Sequence, residues 1–243
     1  MSDSDDGILS VDPRDEEVPN WAPGVYERFV QELDSGRTPF PCTFAVSALQ
    51  RRGLRFVFAE HPGEDASRRR IHDSLSRYIE CYRAIGRITS LVAFFRPIDA
   101  TMRSYERSFW NLLQYLIDSD PHPWPEAIPR DPDDPYWEFC FKGEAIFVVC
   151  STPAHSARRS RCSEGMVVTF QPRWVFDGLG GHTRRGRAAR QVIRRRLAAY
   201  DDVEASPCLG DYGDPANREW FQYFLGDTND PVRHACPLAS TRS

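Results

Sequence analysis

Residues Trp137 to Ser151, WEFCFKGEAIFVVCS, decide how this chain folds. Two apolar, aromatic-rich runs meet at Lys142-Gly143, so the stretch predicts two strands joined by a tight turn. A Pro/Asp-rich connector sets the pair off from what precedes it. Upstream, GVYERFVQEL (residues 24–33) puts Val25, Phe29, Val30 and Leu33 on one helical face. CTFAVSALQRR (42–52) reads as a short helix, and LRFVFAE (54–60) as a buried strand. The segment 67–87 carries Ile71, Leu75, Tyr78, Ile79, Tyr82 and Ile85, the pattern of an amphipathic helix. SLVAFFRP (90–97) is a strand closed by Pro97, and residues 101–119 form another helix ended by a proline-rich turn.

Downstream, GMVVTFQPRWVF (165–176) is extended, residues 183–200 form a basic helix, and NREWFQYFL (217–225) is a late aromatic element. Together these predict an α+β fold, a central mixed or mostly antiparallel sheet flanked by helices. Residues 21–231 form the single domain in this reading, between an acidic, mobile tail (1–20) and a loose C-terminal tail (232–243).

The bulk numbers narrow the function. A chain of 243 residues, 41% hydrophobic and 27% charged, has the composition of a globular domain with a sizeable core. Its net charge of -4 argues against a nucleic-acid coat, so no nucleic-acid partner is expected. No apolar run reaches the roughly 20 residues that span a bilayer, and the acidic start is not a secretory signal. Seven scattered cysteines fit reduced thiols in a cytoplasm rather than a disulfide framework.

Familiar chemical signatures are missing. The sequence has no G-x-G-x-x-G or P-loop cradle for phosphates, no H-E-x-x-H or C-x-x-C zinc pair, no Glu-x-x-His di-iron motif and no G-x-S-x-G elbow. Three local features remain. Cys42 follows Pro39 and Pro41, which stiffen the chain before a helix start, where the helix dipole favours thiolate. Locally, this is either a fixed ligand or a buried structural cysteine. His155 lies after an apolar strand and a Thr-Pro turn, with Arg158, Arg159 and Arg161 behind it. These arginines can bind carboxylates or phosphates, or form a solvated basic loop. Arg173 and Trp174, in FQPRWVF (170–176), can hold a planar ligand or simply pack. The basic helix is expected to neutralise neighbouring acidic loops.

Taken in order, FPCTFA (40–45), SFWNLLQYLIDSD (108–120), the stretch from Trp124 to Val149, TPAHSARRSR (152–161), FQPRWVF and CLGDYGDPANREWFQYFL (208–225) resemble the YqcI/YcgG family. The resemblance spans about Phe40 to Leu225. It implies a haem-dependent monooxygenase, an N-oxygenase of guanidine-containing or amino-heterocyclic small molecules in natural-product biosynthesis. Its cofactor would be haem b. Dioxygen would be co-substrate with an external electron donor, hence a redox partner, or peroxide would replace both.

On this resemblance Cys42 is the first choice of axial iron ligand, because a thiolate favours O–O cleavage, and His155 is the alternative. Arg158, Arg161 and Arg173 become candidates for propionates or a substrate carboxylate, and Phe44 and Trp174 for packing on the macrocycle. Glu138 and Glu144 are the acids considered for a substrate cation. A homodimer is compatible with this reading. The rival readings are a non-catalytic haem-binding or sensing protein and a non-haem metal-dependent oxygenase.

Overall fold

The turn at Lys142-Gly143 forms as expected. Strands β3 (Cys140–Phe141) and β4 (Glu144–Ser151) pair antiparallel, with Phe141 opposite Glu144. Both turn residues have positive φ, 50° at Lys142 and 73° at Gly143, which is the geometry of a two-residue hairpin turn. Glycine takes it freely. Lys142 is held in it by its backbone N–H on Asp120, and by its ammonium on Ser76 (2.9 Å) and Glu80.

The computed structural model describes residues 18–34, 38–181 and 183–238. Helix α1 (Ala22–Leu33) and helix α2 (Thr43–Gln50) lead into β1 (Leu54–Ala59). Helix α3 (Asp65–Ile85) returns to β2 (Ser90–Phe95), and α4 (Met102–Ser119) leads through the connector to the hairpin. Then come β5 (Val167–Pro172) and α5 (Arg184–Tyr200).

The five strands lie in the order β1-β2-β5-β4-β3. The β1–β2 pair is parallel, joined through α3, and the other pairings are antiparallel. The fold is therefore α+β with a mixed sheet in one domain. Among the described residues no helix is long and apolar enough to cross a membrane.

Register sorts the side chains onto two faces. Leu91, Ala93 and Phe95 of β2, Val168 and Phe170 of β5, and Ile146, Val148 and Cys150 of β4 face the larger core with α3 and α4. Helix α4 supplies Tyr105, Phe109, Leu112, Leu113 and Leu116 to it, at helical spacing. Each such buried side chain contributes roughly 1.5–3 kcal/mol of transfer free energy.

On the opposite face, α1 and α2 cover Leu54, Phe56 and Phe58 of β1, and Val92 and Phe94 of β2. The β5–β4 half of that face, with Thr169, Gln171, Phe147, Val149 and Ser151, is not packed shut. It floors a cavity.

The boundaries differ from expectation at the C-terminus. Leu238 is buried in the larger core, with Val232 and Cys236 packed against it. The packed body therefore runs to residue 238 rather than ending at Pro231. Of the acidic tail, residues 1–17 lie outside the described residues, and Val18 packs on the smaller core.

Candidate functional site

The cavity has a volume of about 670 Å³ and lies between the sheet and helices α1, α2 and α5. This is the size range of small-molecule and cofactor sites. Phe40, Pro41, Cys42, Phe44 and Ala45 form one wall. This wall is pinned from α5: the Phe40 ring meets Tyr200 edge-on at 5.6 Å, and Arg196 donates to the Phe40 carbonyl at 3.1 Å. Phe44 meets Phe176 edge-on at 5.6 Å.

Cys42 is the N-cap of α2, in extended conformation (φ −76°, ψ 101°), and its sulfur accepts from the Ala45 N–H at 3.4 Å. The helix starts where the sequence predicts, but the thiol does not rest as a thiolate. Burial pushes the thiol's pKa up, and the Ala45 and Phe44 N–H groups and the Arg161 and Arg196 charges offset this only in part. A cation bound at the sulfur would reverse the balance.

Among the side chains around Cys42, the Arg161 charge does most to pull the thiol's pKa back down. Arg161 is buried, yet it donates only to the backbone carbonyls of Cys150, Tyr223 and Gln222. No carboxylate pairs with it among the described residues, and burial pulls its pKa down to about 10, so it still carries its charge at neutral pH. Arg158, 1% exposed, is similarly tied to Gly226 and Asn229. Both arginines line the cavity, and both also fasten residues 222–229 to the end of β4.

Arg173 is the third predicted arginine, and it sits in an ion triad. It makes two 2.6 Å bonds to Glu138 and another to Glu219, under the ring of Tyr212 at 3.9 Å. Two buried carboxylates share one guanidinium, so the fully ionised triad carries a net charge of -1. Burial raises the Glu138 pKa to about 7, against the pull of Arg173, and raises that of Glu219 as well. Glu219, Arg173 and Tyr212 line the cavity.

The remaining predicted residues lie elsewhere. His155 is buried and does not line the cavity. Its Nε2–H donates to the Leu225 carbonyl at 2.7 Å, and its Nδ1 accepts from the Thr152 hydroxyl at 2.9 Å. Burial holds its pKa low, so the ring is neutral and both nitrogens are engaged. Trp174 points to the α3 side, where its ring meets Tyr82 edge-on at 5.6 Å and carries Arg87 at 4.5 Å. Glu144 pairs with Arg83 on that same side. The structure thus gathers Cys42, Phe44, Arg158, Arg161 and Arg173 around one space and leaves His155 and Trp174 outside it.

Two cavity residues were not singled out in the sequence. Glu219 is an acid immediately before the aromatic run WFQYF (220–224), and that position was its available signal. Arg190 of α5 contacts Asp211 at 2.7 Å, yet its second terminal nitrogen is buried without a hydrogen-bond partner among the described residues.

The residues fit a haem in kind: the Cys42 sulfur at a helix start (Cys162 also lines the cavity), apolar walls, Arg161 with no carboxylate partner among the described residues, and an unpartnered Arg190 nitrogen. Among the described residues no three His, Cys, Asp or Glu side chains converge as a metal site, so a non-haem ligand set finds no support there.

Comparison with known proteins supplies the lineage. YcgG of Bacillus subtilis (strain 168) is 42% identical over 92% of this chain and 90% of its own length. YqcI of the same organism is 38% identical over 94% and 91%. A Streptomyces lavendulae protein, provisionally named N(omega)-hydroxy-L-arginine synthase DcsA, is 34% identical over 95% and 89%. No solved structure matches. The YqcI/YcgG family model matches residues 26–239, and the chain belongs to the YqcI/YcgG family.

Proposed function

We propose that this protein is a haem-dependent N-oxygenase, with Cys42 as axial ligand and a cationic guanidine or amine as substrate. One observation carries the reading. A single cavity is lined by Cys42 on one wall and, on another, by Arg173 and Glu219, two members of a triad in which Glu138 and Glu219 share one guanidinium. A likeness to a protein provisionally named for N-hydroxylation of arginine supports the same reaction class.

Bound in the cavity, haem would supply the oxidising chemistry, using dioxygen and electrons from outside the chain, or peroxide. The protein's own residues supply the rest. Cys42 offers sulfur from a position fixed by Pro41 and the α2 cap, and the Arg161 charge favours its deprotonated form. Phe44, Val92, Phe94 and Val149 give apolar walls that exclude water.

Glu219 takes the substrate's cationic end, since a guanidinium or ammonium there can replace the proton that two buried carboxylates sharing one arginine otherwise hold. Its carboxylate can also accept a proton from the substrate nitrogen. Inserting one oxygen atom into an N–H bond, with the other leaving as water, consumes two electrons and two protons. With dioxygen, two protons must therefore reach the cavity from solvent; with peroxide the same insertion consumes none.

The test is product analysis. Haem-loaded protein, supplied with reductant and dioxygen or with peroxide, should convert arginine, agmatine or a related amine to a product heavier by one oxygen. Loading with haem but no oxidised product from any such compound would favour a haem-binding role without catalysis.

A further inference from the structure

Helix α5 has seven arginines and no acidic residue, in a chain whose net charge is -4. The expectation that it neutralises acidic loops holds, among the described residues, at Arg190, which contacts Asp211. Arg194 and Arg196 donate to backbone carbonyls instead. Arg184, Arg185 and Arg195 are exposed and make no ion pair or hydrogen bond among the described residues.

The helix has two sharply different sides. Gly186, Ala189, Arg190, Ile193, Arg194 and Leu197 line the cavity. At helical spacing, Arg184, Arg187 and Arg195 fall on the outward side, and all three are exposed. The charges do nothing for the helix itself. Arg184 and Arg185 sit in its first turn, at the positive end of the dipole, and Arg184/Arg187 and Arg190/Arg194 are like-charged pairs at the spacings that repel. The helix is nonetheless locked in place. At Gly186 a Cβ would lie 2.1 Å from the Leu179 carbonyl and 2.3 Å from that of Gly180, so α5 rests directly on residues 179–180.

We propose that the outward face of α5 is the docking surface for an acidic one-electron carrier protein. The inference rests on the redox reading above, which needs electrons from outside the chain. A carrier seated on α5 would stand one helix diameter, about 10–12 Å, from the cavity contents, within reach of electron tunnelling. Opposite charge would steer its encounter and fix its orientation. A polyanion such as DNA is less suited, because the rest of the chain is acidic and would repel an extended strand beyond this one helix.

The probe is oxidised plant-type [2Fe–2S] ferredoxin, titrated onto the full chain without haem at low and at high salt. Binding should weaken steeply with salt. The triple variant Arg184→Glu/Arg187→Glu/Arg195→Glu, shown by circular dichroism to keep its fold, should lose affinity by about tenfold or more. Arg69→Glu/Arg70→Glu on α3, across the sheet, should bind as the wild type does. Equal loss in the α3 variant, no loss in the α5 variant, or a DNA duplex that binds more tightly through the same arginines would each overturn the proposal. Turnover with peroxide alongside ferredoxin binding that ignores α5 would sink the docking surface and leave the activity standing. Binding through α5 by a chain that never takes up haem would do the reverse.

Discussion

The sulfur of Cys42 accepts the backbone N–H of Ala45 at 3.4 Å, so the residue that would hold iron also caps the helix that aims it. The two roles can be separated. Serine is a preferred N-cap, whereas cysteine is a weak acceptor. Cys42→Ser should therefore fold with unchanged stability, or gain up to about 1 kcal/mol, in urea denaturation. A large loss of stability would show that the thiol's packing, not its availability, explains the residue.

Arg173 should prove essential to folding in a way that Glu219 is not. Replacing it with methionine leaves Glu138 and Glu219 buried together without their shared cation, a change that costs about 3–5 kcal/mol in comparable buried pairs. Glu219→Gln removes one of the two buried carboxylates that share Arg173 and should leave stability unchanged or higher. The same variant should bind arginine or agmatine more weakly by calorimetry, while its affinity for citrulline, whose side chain is uncharged, stays the same. Equal loss for charged and uncharged ligands would remove Glu219 from the recognition of charge.

Stability should fall as pH rises from about 4.5 to about 7. Glu138 binds its proton more tightly in the folded state, with a pKa near 7 against an ordinary 4.5. In that window the folded protein holds more protons than the unfolded chain, so raising the pH destabilises it. The decline should vanish in Glu138→Gln/Glu219→Gln, followed by urea denaturation across the pH range. If it persists there, the triad does not store the proton.

Asp227 acts in the opposite sense. Burial would raise its pKa, but the N–H groups of Arg158, Ser156 and Ala157 and the Ser156 hydroxyl pull it down to about 2 from an ordinary 3.8. Its contribution is complete above pH 3.8 and is lost as the pH falls through about 2. Asp227→Asn should cost on the order of 1 kcal/mol at neutral pH, after allowance for solvent screening, and should blunt acid unfolding. An unchanged acid limb would contradict this.

His155 should behave as a structural residue. Truncation to alanine strands the Leu225 carbonyl and the Thr152 hydroxyl in the interior, at a cost of about 1–3 kcal/mol each. The haem spectrum of the folded variant should match the wild type.

How much of this was legible in the sequence depends on the range of the interactions involved. The hairpin at Lys142-Gly143 and the amphipathic helices were readable because their signals are local: turn chemistry in one case, periodicity in the other. The cap at Cys42 was readable for the same reason. Strand order was not, since the placement of β5 between β2 and β4 rests on contacts between distant segments. Trp174 was misplaced because the turn after Pro172 sends Arg173 inward and its neighbour to the α3 side. Glu219 escaped notice because its significance lies in Glu138 and Arg173, 81 and 46 residues upstream. The same locality misled the electrostatics, since the helix dipole argument at Cys42 could not weigh the burial that opposes it.

The central claim is that Cys42 holds the iron of a haem seated in the cavity. The most direct test is the absorption spectrum of the ferrous, carbon-monoxide-bound protein, recorded for wild type, Cys42→Ser and His155→Gln. The account predicts the long-wavelength Soret band of thiolate ligation in wild type and His155→Gln, and its loss in Cys42→Ser. A wild-type band at the position of histidine ligation, or an unaltered band in Cys42→Ser, would contradict it.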